Sequence, residues 1–401
     1  MLGQPTASNA HTFNAHFEQK PLPRYPHTHA SQGRTHVRYT KAKSMKKNRD
    51  NLSPVTQQKS VSPELYSMYR EWQAYIDQQY THAPLIEKLI GPSTIRIIRD
   101  GKNAQSDYET FTVSKWYFPN TDDDSVWICF PGVGAFKETP FLHPRHIAGI
   151  PEGSFGPLKF LTRLPNKFDL VPHEGHVYVF NGPTAIAGYS PEQCIRATRA
   201  VKEKVDSILN DHPRKKIKVF SFSAGTHLGF YIANQIGKER GVVETCIAIA
   251  PGDSIGYGLY KTWLTAVLAK DLFERGITME EYAHTISEFD QKHNTEYLPS
   301  GENLVIHAAD RDTVVPKSEP HGTDDLVAFL RSTGKAPTYI EHRGANHFTI
   351  PLRLILQQAM GKNPYGLHSY NVRTLVKNAK SVQTNNATSP SVTPDTETHG
   401  S

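Results

Sequence analysis

The stretch Lys216-Ile217-Lys218-Val219-Phe220-Ser221-Phe222-Ser223-Ala224-Gly225-Thr226-His227 constrains the fold of this chain more than any other. Its first half is a short β-branched and aromatic run, of the kind that forms a strand buried on both faces. The run breaks at small residues. Leu228, Tyr231, Ile232, Gln235 and Ile236 then recur at helical spacing, and the helix is expected to end at Gly237. A strand, a tight turn centred on serine and a helix predict a sharp elbow that lifts the Ser223 hydroxyl clear of the strand end. Small neighbours are needed there because the helix start packs close to the strand. A helix N-terminus beneath the serine also favours developing negative charge. The competing reading is an ordinary buried strand leading into a helix that Ser223 merely caps.

The chain on either side supplies matching units. Residues 126–130, 177–180, 244–250, 304–308 and 337–341 are apolar strand-like runs, each ending in a turn. Helical patterns lie between most of them. Ser190-Pro191-Glu192-Gln193 carries a capping-box signature, and Cys194, Ala197, Val201, Val205 and Ile208 follow on one face. Further helices are predicted over residues 323–333 and 351–360, and a short one near 157–164. Alternation of this kind predicts an α/β fold: a mostly parallel central sheet with helices on both faces. In such sheets the chemistry gathers at the carboxyl ends of the strands. Two alternating segments, 94–98 and 108–117, flank the turn Asp100-Gly101-Lys102-Asn103 and predict a hairpin. Before them, residues 63–80 read as a helix whose face of Tyr66, Met68, Tyr69, Trp72, Tyr75 and Ile76 suits a core or dimer contact.

Polar residues just past the strands form a set. Ser223 follows one strand, Asp312 lies in Ala308-Ala309-Asp310-Arg311-Asp312-Thr313-Val314-Val315-Pro316, and His347 lies in Arg343-Gly344-Ala345-Asn346-His347-Phe348. In this order, with Ser221-Phe222-Ser223-Ala224-Gly225 standing for Gly-x-Ser-x-Gly, the chain resembles the α/β-hydrolase superfamily from about residue 124 to 360. The resemblance implies an α/β-hydrolase fold and a serine hydrolase. Ser223 would be the nucleophile, His347 its general base and Asp312 the residue that orients the imidazole. It also implies an oxyanion hole from the N–H of Ala224 and one from Pro131-Gly132-Val133-Gly134, with Val133 preferred and Gly134 next. Asp310 and Asp253 are rival acids, and His227, one helical turn past Ser223, reads as structural. The pattern departs from the family at Ser221, where glycine is usual, and at Pro131, where histidine is frequent. An acyltransferase using the same acyl-enzyme, or a silent module of this fold, is the alternative.

Composition sets the outer bounds. Hydrophobic residues make up 37% of the 401, and the formal charge is +6. Both features trace to the ends. Residues 1–60 carry Lys41, Lys43, Lys46, Lys47 and Arg49 with only Glu18 and Asp50 opposing them, which predicts a disordered basic arm. Beyond about 376 a Ser/Thr/Asn/Pro-rich tail is expected to be disordered as well. The hydrolase domain would span 61–375, with an apolar helical insertion at about 254–301 as a cap. Cys129, Cys194 and Cys246 read as buried free thiols in a cytoplasmic protein. No metal or cofactor is expected, since His173-Glu174-Gly175-His176 lacks the spacing of a helical zinc pair. The expected partner is a small acyl ester or thioester, with no specific nucleic acid and no membrane span.

Overall fold

The computed structural model describes residues 62–85, 87–88, 112–118, 124–132, 170, 172, 174–181, 190–241, 243–360 and 362–367. Among the described residues, seven strands form one sheet: β1 (Thr112–Phe118), β2 (Ser125–Phe130), β3 (Gly175–Asn181), β4 (Lys216–Phe222), β5 (Thr245–Ile249), β6 (Leu304–Ala309) and β7 (Thr338–His342). Their order is β1-β3-β2-β4-β5-β6-β7. The pairings from β3 through β7 are all parallel, and β1 runs antiparallel to β3 at the edge. The mostly parallel sheet expected from the sequence is therefore present.

Period-two alternation explains why the central strands are apolar throughout. In β2, Val126, Ile128 and Phe130 face one core while Trp127 and Cys129 face the other. The first core is completed by α2 (Pro191–Asn210), α3 (Gly225–Arg240) and α7 (Thr323–Ser332), through side chains such as Val201, Ile232 and Leu326. The second is covered by α1 (Pro63–His82) and α8 (Thr349–Ala359), through Ile76, Ile350, Leu354 and Ile355. Each such buried aliphatic or aromatic side chain contributes about 1.5–3 kcal/mol. Between β5 and β6 lie α4 (Ile255–Lys261), α5 (Ala266–Glu274) and α6 (Met279–Thr285), followed by short 3-10 turns.

Local signals fare unevenly. Ser190 caps α2 by accepting from the Gln193 N–H at 3.2 Å, but the reciprocal half of the capping box is missing, and Gln193 Oε1 is buried without a partner. The helix after the elbow does not stop at Gly237. It continues to Arg240 and ends on Gly241, whose φ of 84° is the left-handed cap that glycine favours. Gly237 serves another purpose, because a Cβ there would collide with the Tyr297 backbone. On α1 only part of the aromatic face is covered: Ile76 is buried and Trp72 packs on Phe273, while Tyr66 stands 57% exposed. The three cysteines are buried and free. The basic arm, the polar tail, the 94–98 half of the hairpin and the 157–164 helix lie outside the described residues.

Candidate active site

Ser223 sits at φ 51°, a left-handed conformation that a serine adopts at an expense of about 1–3 kcal/mol. The surroundings hold it there. Its N–H donates to the Ile249 carbonyl at 2.8 Å, tying the turn to β5. Its carbonyl accepts the Thr226 N–H at 2.9 Å and the Thr226 hydroxyl at 2.6 Å. The N-cap position of α3 falls on Ala224, with no side-chain cap bond. Ser223 is thus not a helix cap, and its hydroxyl is left for another partner. Close packing beneath the turn accounts for the small residues. A Cβ on Gly225 would strike the carbonyls of Phe130 and Pro131, and one on Gly132 would come 3.0 Å from the Ser223 Cβ.

The departure at Ser221 is absorbed locally. Its hydroxyl donates to the Ile247 carbonyl at 3.1 Å, so the buried polar atom is satisfied. Its hydroxymethyl group occupies space left by Gly229 on α3, where a Cβ would lie 2.5 Å from Ser221 Oγ. The glycine usual at the elbow is in effect exchanged for Gly229, one turn into α3.

The structure brings Ser223, His347 and Asp312 together. His347 Nε2 lies 2.7 Å from Ser223 Oγ, and His347 Nδ1 lies 2.8 Å from Asp312 Oδ2. Asp312 Oδ1 accepts the N–H groups of Val314 and Val315 at 2.9 and 2.8 Å, which fixes the carboxylate with its other oxygen aimed at the imidazole. The histidine and the aspartate are both buried. Burial alone would push the His347 pKa down, but the charge and hydrogen bond of Asp312, with Glu87 behind it, outweigh this and raise it. Such a set can move a proton off a hydroxyl and hold the resulting imidazolium. The rival acids are placed elsewhere: Asp310 is exposed, and Asp253 bonds His321 Nδ1 at 2.9 Å.

Ala224 directly follows Ser223 at the start of α3, so its N–H belongs to the elbow itself. Val133 and Gly134 lie outside the described residues. His227 is buried on α3, where its Nδ1 pairs with the Ala224 carbonyl and burial lowers its pKa to about 4. One residue that sequence reasoning passed over is Glu87. It is fully buried, accepts the backbone N–H of His347 at 3.3 Å on Oε1 and pairs through Oε2 with the Thr313 hydroxyl. Among the described residues, no group of three or more His, Cys, Asp or Glu side chains is placed to hold a metal, and no helix is long and apolar enough to cross a membrane.

No family model matches the chain, and no curated protein matches it. Solved structures do. A monoacylglycerol lipase from Paleococcus ferrophilus is 17% identical over 59% of this chain and 90% of that one, with a TM-score of 0.33. Carboxyl esterase 2 from the mycorrhizal fungus Tuber melanosporum is 15% identical over 68% and 81%, with a TM-score of 0.37. An α/β serine hydrolase homologue from Coxiella burnetii is 16% identical over 61% and 88%, at 0.31. At such scores these likenesses add nothing to what the strand order and the three side chains convey.

Proposed function

We propose that the protein is a serine hydrolase that cleaves a carboxylic ester or thioester through an acyl-Ser223 intermediate. The observation that carries this reading is the 2.7 Å contact of Ser223 Oγ with His347 Nε2, made by a residue held at φ 51°. Strain of that kind persists only where surroundings impose it, and it aims the hydroxyl at the base.

In the first half-reaction Ser223 Oγ attacks the acyl carbon as its proton passes to His347 Nε2. Asp312 keeps the Nδ1 proton in place and stabilises the imidazolium. The oxyanion is held by the Ala224 N–H and a second N–H from Val133 or Gly134. Collapse expels the alcohol or thiol, which takes the proton from His347. Water then attacks the acyl-enzyme with His347 as base, and the carboxylic acid leaves with Ser223 restored. Residues 254–301 act as a cap, and the apolar, aromatic character of this insertion favours an acyl or aromatic portion that is apolar. The free thiols favour a reducing, cytoplasmic setting.

Pre-steady-state hydrolysis of p-nitrophenyl butyrate tests the reading. A burst of nitrophenol equal to the enzyme concentration is expected, with slower steady turnover after it. Absence of turnover on short- and medium-chain esters and thioesters alike would contradict it. Adding methanol or glycerol as acceptor separates hydrolysis from acyl transfer by the product ratio.

A further inference from the structure

Glu87 links the loop bearing the acid to the loop bearing the base. One carboxyl oxygen takes the backbone N–H of His347, 260 positions away, and the other takes the hydroxyl of Thr313, 226 positions away. Thr313 is itself positioned by the Trp263 indole N–H at 3.4 Å and directly follows Asp312. Two buried carboxyl groups are thereby tied to one buried imidazole residue: Asp312 bonds the ring itself, and Glu87 bonds the His347 backbone and the residue after Asp312. We propose that Glu87 is a positioning residue for His347, bracing its loop and, when ionised, favouring the imidazolium that forms during acyl transfer. The inference rests on the serine-hydrolase reading above.

The electrostatics agree with that geometry. The Glu87 pKa is raised to about 7, first by burial and then by the Asp312 charge, against the lowering effects of the Thr313 hydroxyl, the His347 charge and the His347 N–H. Glu87 in turn raises the pKa of His347. Lys88 turns its ammonium to the Thr81 carbonyl at 2.7 Å and over the Tyr80 ring. Tyr75, His82 and Glu319 line a cavity of about 210 Å³ that borders Asp312 and Thr313. The proton equilibrium of Glu87 is thus set first by its burial, and then by the charges of Asp312 and His347 and the hydrogen bonds from Thr313 and the His347 N–H.

The sign follows directly. Acylation needs neutral His347, so reactivity is lost as pH falls through the imidazole pKa. A negative Glu87 holds that pKa up. Removing the charge lowers it and moves the acid limb of the profile to lower pH.

The test is the rate of covalent inactivation of the full-length protein by a fluorophosphonate, measured from pH 5 to 9 for wild type, Glu87→Gln and Thr313→Val. In Glu87→Gln the acid limb is expected to move down by about 0.5–1 pH unit, with the plateau rate a few-fold lower. Thr313→Val removes the hydroxyl that holds the Glu87 pKa down, so Glu87 ionises at higher pH and the limb again moves down, by less. Thr313→Val decides the matter if Glu87→Gln does not fold. A purely structural role would lower the plateau and leave the limb in place, and that result in the folded variants overturns the proposal. Failure of the wild type to react at all would instead overturn the hydrolase reading beneath it.

Discussion

Among the described residues, two aspartate–histidine pairs stand beyond the strands of this sheet, alike in spacing and different in burial and partners. Asp312 and His347 are 2.8 Å apart, and Asp253 and His321 are 2.9 Å apart. The first pair is buried, and its far imidazole nitrogen reaches Ser223. The second is stacked on Tyr257, with ring centroids 3.7 Å apart, and its histidine side chain is 26% exposed. An acid beside an imidazole does not by itself present the second ring nitrogen to a hydroxyl. Burial strengthens the interaction between them, and a hydroxyl in line on the second nitrogen gives the raised basicity something to act upon.

The largest effects should separate the two pairs. Ser223→Ala or His347→Ala is expected to lower esterase turnover by about 10³-fold or more, whereas His321→Ala should stay within a few-fold of wild type. Steady-state kinetics on p-nitrophenyl butyrate check this, and equal losses from both histidines would erase the distinction. Next, Asp312→Asn should cost about 10³–10⁴-fold by favouring the wrong imidazole tautomer, while Asp253→Asn should be nearly silent. The reverse result would reassign the acid.

A subtler contrast lies in pH. The pKa of His347 is raised from the usual 6.5, and the imidazole must be neutral to accept the serine proton. The acid limb of kcat/KM should consequently lie above that value in wild type, and Asp312→Asn should carry its residual limb to lower pH. A limb that ignores the substitution would mean another group titrates.

The smallest effects concern the elbow. Gly229→Ala should lower stability by about 1–3 kcal/mol, because the new methyl meets Ser221 Oγ at 2.5 Å. Ser221→Gly should relieve most of that penalty in the double variant. Denaturant melts of the four proteins in the cycle measure the coupling, and additive losses would show that the two sites are independent.

These contrasts also explain what was legible in the sequence. Ser223, Asp312 and His347 each follow a strand by a few residues, so local pattern and strand alternation together put them at one edge of the sheet. Asp253 follows a strand equally well, and only the tertiary contacts separate it from Asp312. Glu87 gave no such signal. In Leu85-Ile86-Glu87-Lys88 it lies past the predicted helix over 63–80 and belongs to no motif, and its partners are more than 200 positions away. The tolerance of Ser221 was hidden likewise, because it depends on a gap at Gly229 that only helix-on-strand packing reveals. Gly237 misled for a related reason: a glycine that admits a neighbouring backbone resembles one that ends a helix.

The most direct measurement is peptide mapping by mass spectrometry after treatment of the full-length protein with a fluorophosphonate at neutral pH. A single stoichiometric adduct on the Ser223 peptide is expected, with none on folded Ser223→Ala. Labelling that persists undiminished in Ser223→Ala, or a folded wild type that takes up no reagent, would contradict the account.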